Sequence, residues 1–145
     1  MSRPLSATGV GVSAAPPVAA TAVVLAVPAL TRLRPSRLCR VLGYAVRNTR
    51  AAAAPDETAV ARVQRALAIA GRVRRQTCLT RSVARFLLLR RAGYPVELVF
   101  GLGPQEGIWA GHCWLELDGK PYLEDTDPRP LFPQMLRVPA AQEPA

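Results

Sequence analysis

Residues 78–102 read CLTRSVARFLLLRRAGYPVELVFGL, and the spacing of the apolar residues changes within this stretch. Up to Arg91 they recur at helical spacing, whereas from Val96 onward they alternate with other residues as in a strand. Gly93 and Pro95 lie between the two patterns, and both residue types favour the end of a helix. The stretch therefore predicts a helix followed by a strand.

Upstream of this stretch the sequence predicts further helices. An uncharged, apolar segment predicts a helix over residues 18–30, after a disordered tail over residues 1–17. Pro35 opens an amphipathic helical pattern. Asp56 is the expected N-cap of the next helix, which Gly71 should end. We expect the apolar helix to pack on the domain that follows it.

Downstream the pattern predicts a small antiparallel sheet. Residues 103–107 are expected to form a loop, and residues 110–117 a second strand. Asp118-Gly119 is a strong hairpin signal that leads into a third strand at 120–125. The chain from Pro128 is rich in proline and is expected to be irregular. Helices first and strands second indicate an α+β fold.

The length and composition fit one folded domain. The chain has 145 residues, of which 50% are hydrophobic and 20% charged, so global disorder is excluded. We assign residues 1–30 to the tail and apolar helix, 31–139 to the domain and 140–145 to a second tail. Three cysteines do not make a disulfide framework, and free thiols indicate a reducing compartment, the cytoplasm.

The positive charge is concentrated in the middle of the chain. The net charge is +9, and residues 32–91 hold fifteen Arg against two acidic residues. No nucleic-acid-binding motif accompanies this charge, so we predict no nucleic-acid partner. The apolar run over residues 18–27 is far shorter than the ~20 residues that cross a bilayer, so we predict no membrane span. A signal peptide is a weaker alternative for this segment.

Cys78 and His112 form the candidate catalytic pair. With Thr77 as N-cap, Cys78 lies at the start of a helix, where the helix dipole and nearby Arg residues favour a thiolate nucleophile. His112 is the only histidine of the chain and begins a predicted strand. An imidazole within reach of the thiol would activate it. The oxyanion would be stabilised by the backbone N–H of Cys78, with Gln76 as a candidate second donor.

The other two cysteines are predicted to be structural. Cys113 alternates with His112 and should face the core, and Cys39 lies in an Arg-rich helix without a partner thiol. The sequence contains no Cys-x-x-Cys pair. We therefore predict no zinc site, no other metal and no cofactor.

Two hairpin registers place different acids opposite His112. A two-residue loop of Asp118-Gly119 places Asp125 there, whereas a three-residue loop places Glu124 there. We favour the longer loop because it places one aromatic pair and one pair of oppositely charged residues directly across the two strands. Glu124 is thus the predicted third catalytic residue, with Asp125 as the alternative. The pairs of the favoured register are Glu116–Lys120, Trp114–Tyr122 and His112–Glu124.

The stretch at 78–102 and the segment GHCWLELDGKPYLED at 111–125 resemble the leader peptidases of lasso-peptide biosynthesis. That family has a transglutaminase-like, papain-like cysteine protease fold. The resemblance covers about residues 30–139, and its strongest matches are at 78–82 and 111–119. By position it implies Cys78 as nucleophile, His112 as general base and Glu124 as third residue. The family usually has Asp there.

The resemblance implies a function and its partners. The expected reaction is hydrolysis of a peptide bond that joins leader and core in a ribosomally made precursor peptide, whose core a separate cyclase then uses. About thirty residues precede the predicted domain, too few for a leader-recognition module, so a separate leader-recognition protein is the expected partner. A transglutaminase-like acyltransferase and a non-catalytic Arg-rich binding module are the competing classes of function.

Overall fold

The computed structural model describes residues 17–46 and 57–138. Its helices are α1 (Pro17–Leu30), α2 (Pro35–Val46), α3 (Glu57–Val73) and α4 (Cys78–Arg91). Its strands are β1 (Glu97–Gln105), β2 (Ile108–Leu117), β3 (Lys120–Tyr122) and β4 (Gln134–Val138). The four strands form one antiparallel sheet in the order β3-β2-β1-β4. The predicted α+β fold is confirmed.

Local signals explain both ends of α4. Thr77 caps the helix through its hydroxyl, which accepts a hydrogen bond from the Thr80 backbone N–H at 3.2 Å. At the other end Gly93 has a φ of 90°, and the N–H of Tyr94 reaches back to the Leu89 carbonyl at 3.0 Å. This is the glycine-dependent helix end that the sequence predicted.

The predicted end of α3 is wrong. The helix runs through Gly71 to Val73, because Gly71 keeps a helical conformation and lacks the positive φ with which a glycine ends a helix. The expected N-cap, Asp56, lies outside the described residues, as do residues 1–16 and 140–145 of the predicted tails.

The loop predicted at residues 103–107 is also wrong. Strand β1 continues to Gln105 and turns through Glu106 and Gly107, whose φ values are 52° and 83°. Pro104 fits this strand because β4 pairs with β1 only as far as Gly101. Beyond that point no described strand pairs with this edge of β1, and an edge position tolerates the missing N–H of proline.

The hairpin between β2 and β3 has the register that we did not favour. Its turn consists of Asp118 and Gly119, with φ values of 51° and 72°. Positive φ at both positions matches the right-handed twist of the flanking strands, so a two-residue loop suffices. Strand β3 ends at Tyr122 rather than at 125, because Leu123 has a φ of 60° and leaves the ladder. The observed pairs are Leu115–Tyr122, Glu116–Pro121 and Leu117–Lys120.

The proline-rich segment after Pro128 contains the fourth strand, which the sequence analysis missed. Strand β4 pairs with β1, with an irregularity between Phe100 and Gly101. The prolines before β4 conceal it in the sequence, yet they favour the extended backbone from which a strand can begin. The preceding loop crosses β1, and the Leu102 N–H donates to the Pro133 carbonyl at 3.2 Å.

Helices α4 and α2 pack against the sheet, α1 and α3 pack on α4, and the hydrophobic core lies among them. The core includes Val27 of α1, Leu42 of α2, Leu67 of α3, Phe86 of α4 and Leu115 of β2. Helix α1 packs against α3 and α4, as expected for the apolar helix. These contacts fix α4, and with it Cys78, relative to β2.

The other face of the sheet holds a buried polar cluster. Glu97 and Glu116 are directly paired on β1 and β2, and Glu116 is only 3% exposed. The Arg137 guanidinium from β4 contacts both carboxylates, at 2.7 Å in the case of Glu116. The indole N–H of Trp114, which is fully buried, donates to Glu116 at 3.1 Å. Arg137 thereby neutralises two like charges and secures β4 on the sheet.

Candidate active site

Cys78 is the first residue of α4, and its thiol is free and exposed. The Thr77 cap satisfies one of the backbone N–H groups at this helix end. The remaining N–H groups and the helix dipole give the first turn a partial positive charge. The structure thus places the predicted nucleophile at the positive end of a helix, where a substrate has access.

One face of α4 is polar for two turns. Cys78, Arg81, Ser82 and Arg85 follow each other at helical spacing, and all four line the same cavity. The Ser82 hydroxyl donates to the Cys113 carbonyl of β2 at 2.6 Å, and both groups are buried. This hydrogen bond joins the first turns of α4 to the strand that carries His112.

His112 lies on β2 opposite Gly101 of β1, and its side chain is 25% exposed. The imidazole stacks on Trp114, with ring centroids 6.0 Å apart and planes at 17°. The Phe132 ring lies on it at a centroid distance of 5.1 Å. Gly101 leaves room for these rings, because a Cβ there would come within 2.9 Å of both Trp114 and Phe132. The imidazole is therefore held by aromatic contacts and is partly shielded from water.

Glu124 is the carboxylate next to His112. Its Oε2 lies 3.5 Å from the His112 Nε2, and its Oε1 lies 3.7 Å from a terminal nitrogen of Arg85. Asp125 is exposed and lines the same cavity. The hairpin register predicted for Glu124 is wrong, yet Glu124 does lie beside His112, because the chain leaves the ladder at Leu123.

The three thiols differ in burial. Burial raises the pKa of Cys113, and less complete burial raises the pKa of Cys39. Neither of these thiols is suited to act as a thiolate nucleophile near neutral pH. Cys78 is the exposed one of the three. Burial therefore separates Cys78 from the two cysteines that we predicted to be structural.

All four predicted site residues line one cavity of about 320 Å³. It opens between the N-terminus of α4, strand β2 and the chain after β3. A thiol, an imidazole and a carboxylate in one cavity can perform nucleophilic acyl chemistry without a metal ligand set. The cavity is lined by Gln64, Cys78, Arg81, Ser82, Arg85, His112, Cys113, Leu123, Glu124 and Asp125.

The setting of Gln76 differs from the expected one. The Gln76 side chain donates its amide to the Leu67 carbonyl of α3 at 3.1 Å, so it is engaged outside the cavity. Gln76 was the candidate second oxyanion donor, and it does not line the cavity. Trp109 is 68% exposed near the tip of the β1–β2 hairpin.

Sequence reasoning missed Arg85. Its side chain is 12% exposed, and its guanidinium donates to the Leu123 carbonyl at 3.1 Å and to the Gln64 side chain at 3.3 Å. Burial lowers the pKa of Arg85, and the charge of Glu124 opposes that effect. A signal was available, because Arg85 lies two turns after Cys78 on the same helix face.

The described part of the chain contains neither a metal-ligand cluster nor a membrane-spanning helix. Within residues 17–46 and 57–138, no three His, Cys, Asp or Glu side chains are grouped so that they could hold a metal ion. In the same part of the chain, no helix has the length and apolar character needed to cross a membrane.

Comparison with known proteins gave one match. A family model described as the Transglutaminase-like superfamily matches residues 23–137, which is most of the chain and includes every residue of the cavity. Comparisons with curated proteins and with solved structures found no match.

Proposed function

Because the chain belongs to the transglutaminase-like superfamily, we propose that it is a cysteine peptidase that removes the leader from a lasso-peptide precursor. The observation that carries the enzymatic part is the cavity that gathers Cys78, His112 and Glu124. The precursor as substrate is supported by the sequence resemblance at residues 78–82 and 111–119. The proposal places the reaction in the cytoplasm, where a reducing environment keeps the thiol free.

In the proposed reaction the Cys78 thiolate attacks the scissile carbonyl carbon, and the His112 imidazolium gives its proton to the leaving amine. Water then attacks the thioester with His112 as base, which releases the new carboxylate and restores the thiol. Glu124 faces Nε2 of the imidazole, so Nδ1 is the nitrogen left for the sulfur. Asp125 is the alternative third residue.

The backbone of α4 supports the charge that develops on the substrate. A carbonyl oxygen that becomes negative at the first turn meets the partial positive charge of the helix end and the Cys78 N–H. A second donor is not supplied by Gln76, whose amide is engaged by Leu67. No cofactor takes part in this scheme.

The proposed partners are the precursor peptide, a separate leader-recognition protein and the cyclase that uses the product. The basic surface around α2 fits an acidic partner. Arg32, Arg34, Arg37 and Arg40 are exposed, residues 17–46 contain no acidic side chain, and no ion pair engages these four arginines within the described residues. A partner that holds the leader near the cavity raises the local concentration of the scissile bond.

The decisive experiment mixes the purified chain with a synthetic lasso precursor, with and without a leader-recognition protein, and reads the product masses. A cut at the leader–core junction supports the peptidase. A conjugate with an added amine would identify an acyltransferase instead, and no change under any condition would favour the binding module. A rate gain with the partner that declines at high salt supports the basic docking surface.

Variants of two cysteines assign the nucleophile. Cys78→Ala should abolish cleavage, while Cys39→Ser should retain it, because Cys39 lies in α2 outside the cavity. Burial raises the pKa of Cys39, so iodoacetamide should label the exposed Cys78 first at neutral pH. Peptide mapping that finds Cys39 labelled first, together with loss of activity, contradicts the assignment.

A further inference from the structure

The buried guanidinium of Arg85 contacts the segment that carries the third site residue. One of its terminal nitrogens lies 3.1 Å from the Leu123 carbonyl and 3.7 Å from the Glu124 carboxylate. The other terminal nitrogen donates to Gln64 of α3 at 3.3 Å. Arg85 therefore joins α4, α3 and the chain after β3 at one point.

The backbone at Leu123 explains why this contact matters. In the observed register, a regular continuation of β3 would place Asp125 opposite His112. Leu123 has a φ of 60° and interrupts that continuation, so Glu124 reaches the imidazole instead. At this corner the Arg85 guanidinium donates a hydrogen bond to the Leu123 carbonyl oxygen.

We propose that Arg85 is a positioning residue that holds Glu124, rather than Asp125, against the His112 imidazole. The proposal rests on the function proposed above, because it gives Glu124 the role of orienting the catalytic base. Arg85 acts on both groups that define the corner: it hydrogen-bonds the Leu123 carbonyl and pairs with the Glu124 carboxylate. The second oxygen of that carboxylate is left for Nε2.

The two ways in which Arg85 could affect His112 have opposite signs. As a nearby cation, Arg85 disfavours a protonated imidazole, so its removal would move protonation to higher pH. As a positioning residue it brings a carboxylate to the imidazole, so its removal would move protonation to lower pH. The direction of the change therefore distinguishes positioning from simple charge repulsion.

His112 is the only histidine, so one NMR signal reports its protonation without further assignment. The titration is measured in the full chain with Cys78→Ser, which removes the coupled thiol. We expect Arg85→Gln and Glu124→Gln each to lower the midpoint of the His112 titration relative to the parent protein. In the double variant Arg85→Gln should cause no further decrease, because it acts through Glu124.

Two variants serve as controls. Arg81→Gln removes a cation from the same cavity, and Arg81 has no ion pair with a described residue. The midpoint of the His112 titration in this variant should therefore stay unchanged or rise. Arg85→Lys keeps the charge but lacks the planar guanidinium that reaches several acceptors. Its His112 midpoint should therefore lie between those of wild type and Arg85→Gln. Circular dichroism verifies that each variant is folded.

The positioning role is overturned if Glu124→Gln lowers the His112 midpoint while Arg85→Gln leaves it unchanged or raises it. The role is also overturned if Arg85→Gln lowers the His112 midpoint as much in the Glu124→Gln background as it does when Glu124 is present. The titration needs no substrate, so it is independent of the precursor assay. Failure to cleave any precursor would refute the proposed peptidase while leaving the measured relation between Arg85, Glu124 and His112 intact.

Discussion

Replacing Gly103 by Ala should displace the loop that packs on the candidate base. A Cβ at this position would overlap the Leu131 carbonyl oxygen and would lie 3.4 Å from the Phe132 Cα. These are backbone atoms, so no side-chain rotation can relieve the overlap. The loop must move away from β1, and Phe132, whose ring contacts His112, moves with it.

The loss of stability follows from one steric overlap that is introduced and one hydrogen bond that is lost. Forcing an extra carbon into a packed site costs about 1–3 kcal/mol. The hydrogen bond between Leu102 and Pro133, which lies in the same crossing, contributes about 1 kcal/mol. We expect Gly103→Ala to lower the free energy of unfolding by about 2–4 kcal/mol. The melting temperature should fall by roughly 5–10 °C. Loss of Phe132 from the imidazole should also slow precursor cleavage.

Gly111→Ala is the matched control. Gly111 precedes His112 on the paired strand, and a Cβ there would meet nothing closer than the Gly101 carbonyl oxygen at 3.9 Å. The free energy of unfolding of Gly111→Ala should stay within about 0.5 kcal/mol of the wild-type value. Thermal unfolding followed by circular dichroism measures both variants. Equal melting temperatures for Gly103→Ala and wild type, or an equal loss in both variants, would refute the reasoning.

Three further predictions follow from single contacts. In single-turnover cleavage, Glu124→Gln should slow the reaction about tenfold or more and Asp125→Asn less, because only Glu124 lies beside the imidazole; the reverse order would assign the role to Asp125. Arg137→Ala should cost about 2–4 kcal/mol in urea unfolding, because it leaves the buried Glu116 charge without its cation; an unchanged midpoint would contradict this. Gly43→Ala should stabilise α2 by up to about 1 kcal/mol, since no atom of the described residues outside the local helix backbone lies within 4 Å of the added Cβ; a lower melting temperature would contradict it.

The sequence predicted those features that neighbouring residues determine. Thr77 and Gly93 define the ends of α4 through local hydrogen bonds and backbone conformation, so the helix that bears Cys78 could be located. The alternation along β2 correctly placed His112 and Cys113 on opposite faces, with Cys113 in the core. Neither prediction required knowledge of a distant contact.

Features that depend on distant contacts were missed. Strand β4 exists because β1 offers it an edge, and the proline-rich sequence before it indicates only irregular chain. Arg85 belongs to an amphipathic helix in which any one cation is expected to face solvent. Its burial depends on Gln64 and Leu123, which lie 21 and 38 residues away along the chain. Sequence spacing places Arg85 on the same helix face as Cys78, but it carries no direct signal for contacts with residues so distant along the chain.

Glu124 lies beside His112 although the hairpin register from which we predicted this position is wrong. Both registers assumed that β3 continues past Tyr122, and the structure ends the strand there. A leucine in the left-handed region costs about 1 kcal/mol or more, so Leu123 needs compensation. Its side chain packs against the core, and its carbonyl accepts a hydrogen bond from Arg85. Strained backbone of this kind is often found beside functional sites. Here it lets Glu124 leave the sheet and face the imidazole, so the residue beside His112 is determined by this corner and not by the strand pairing.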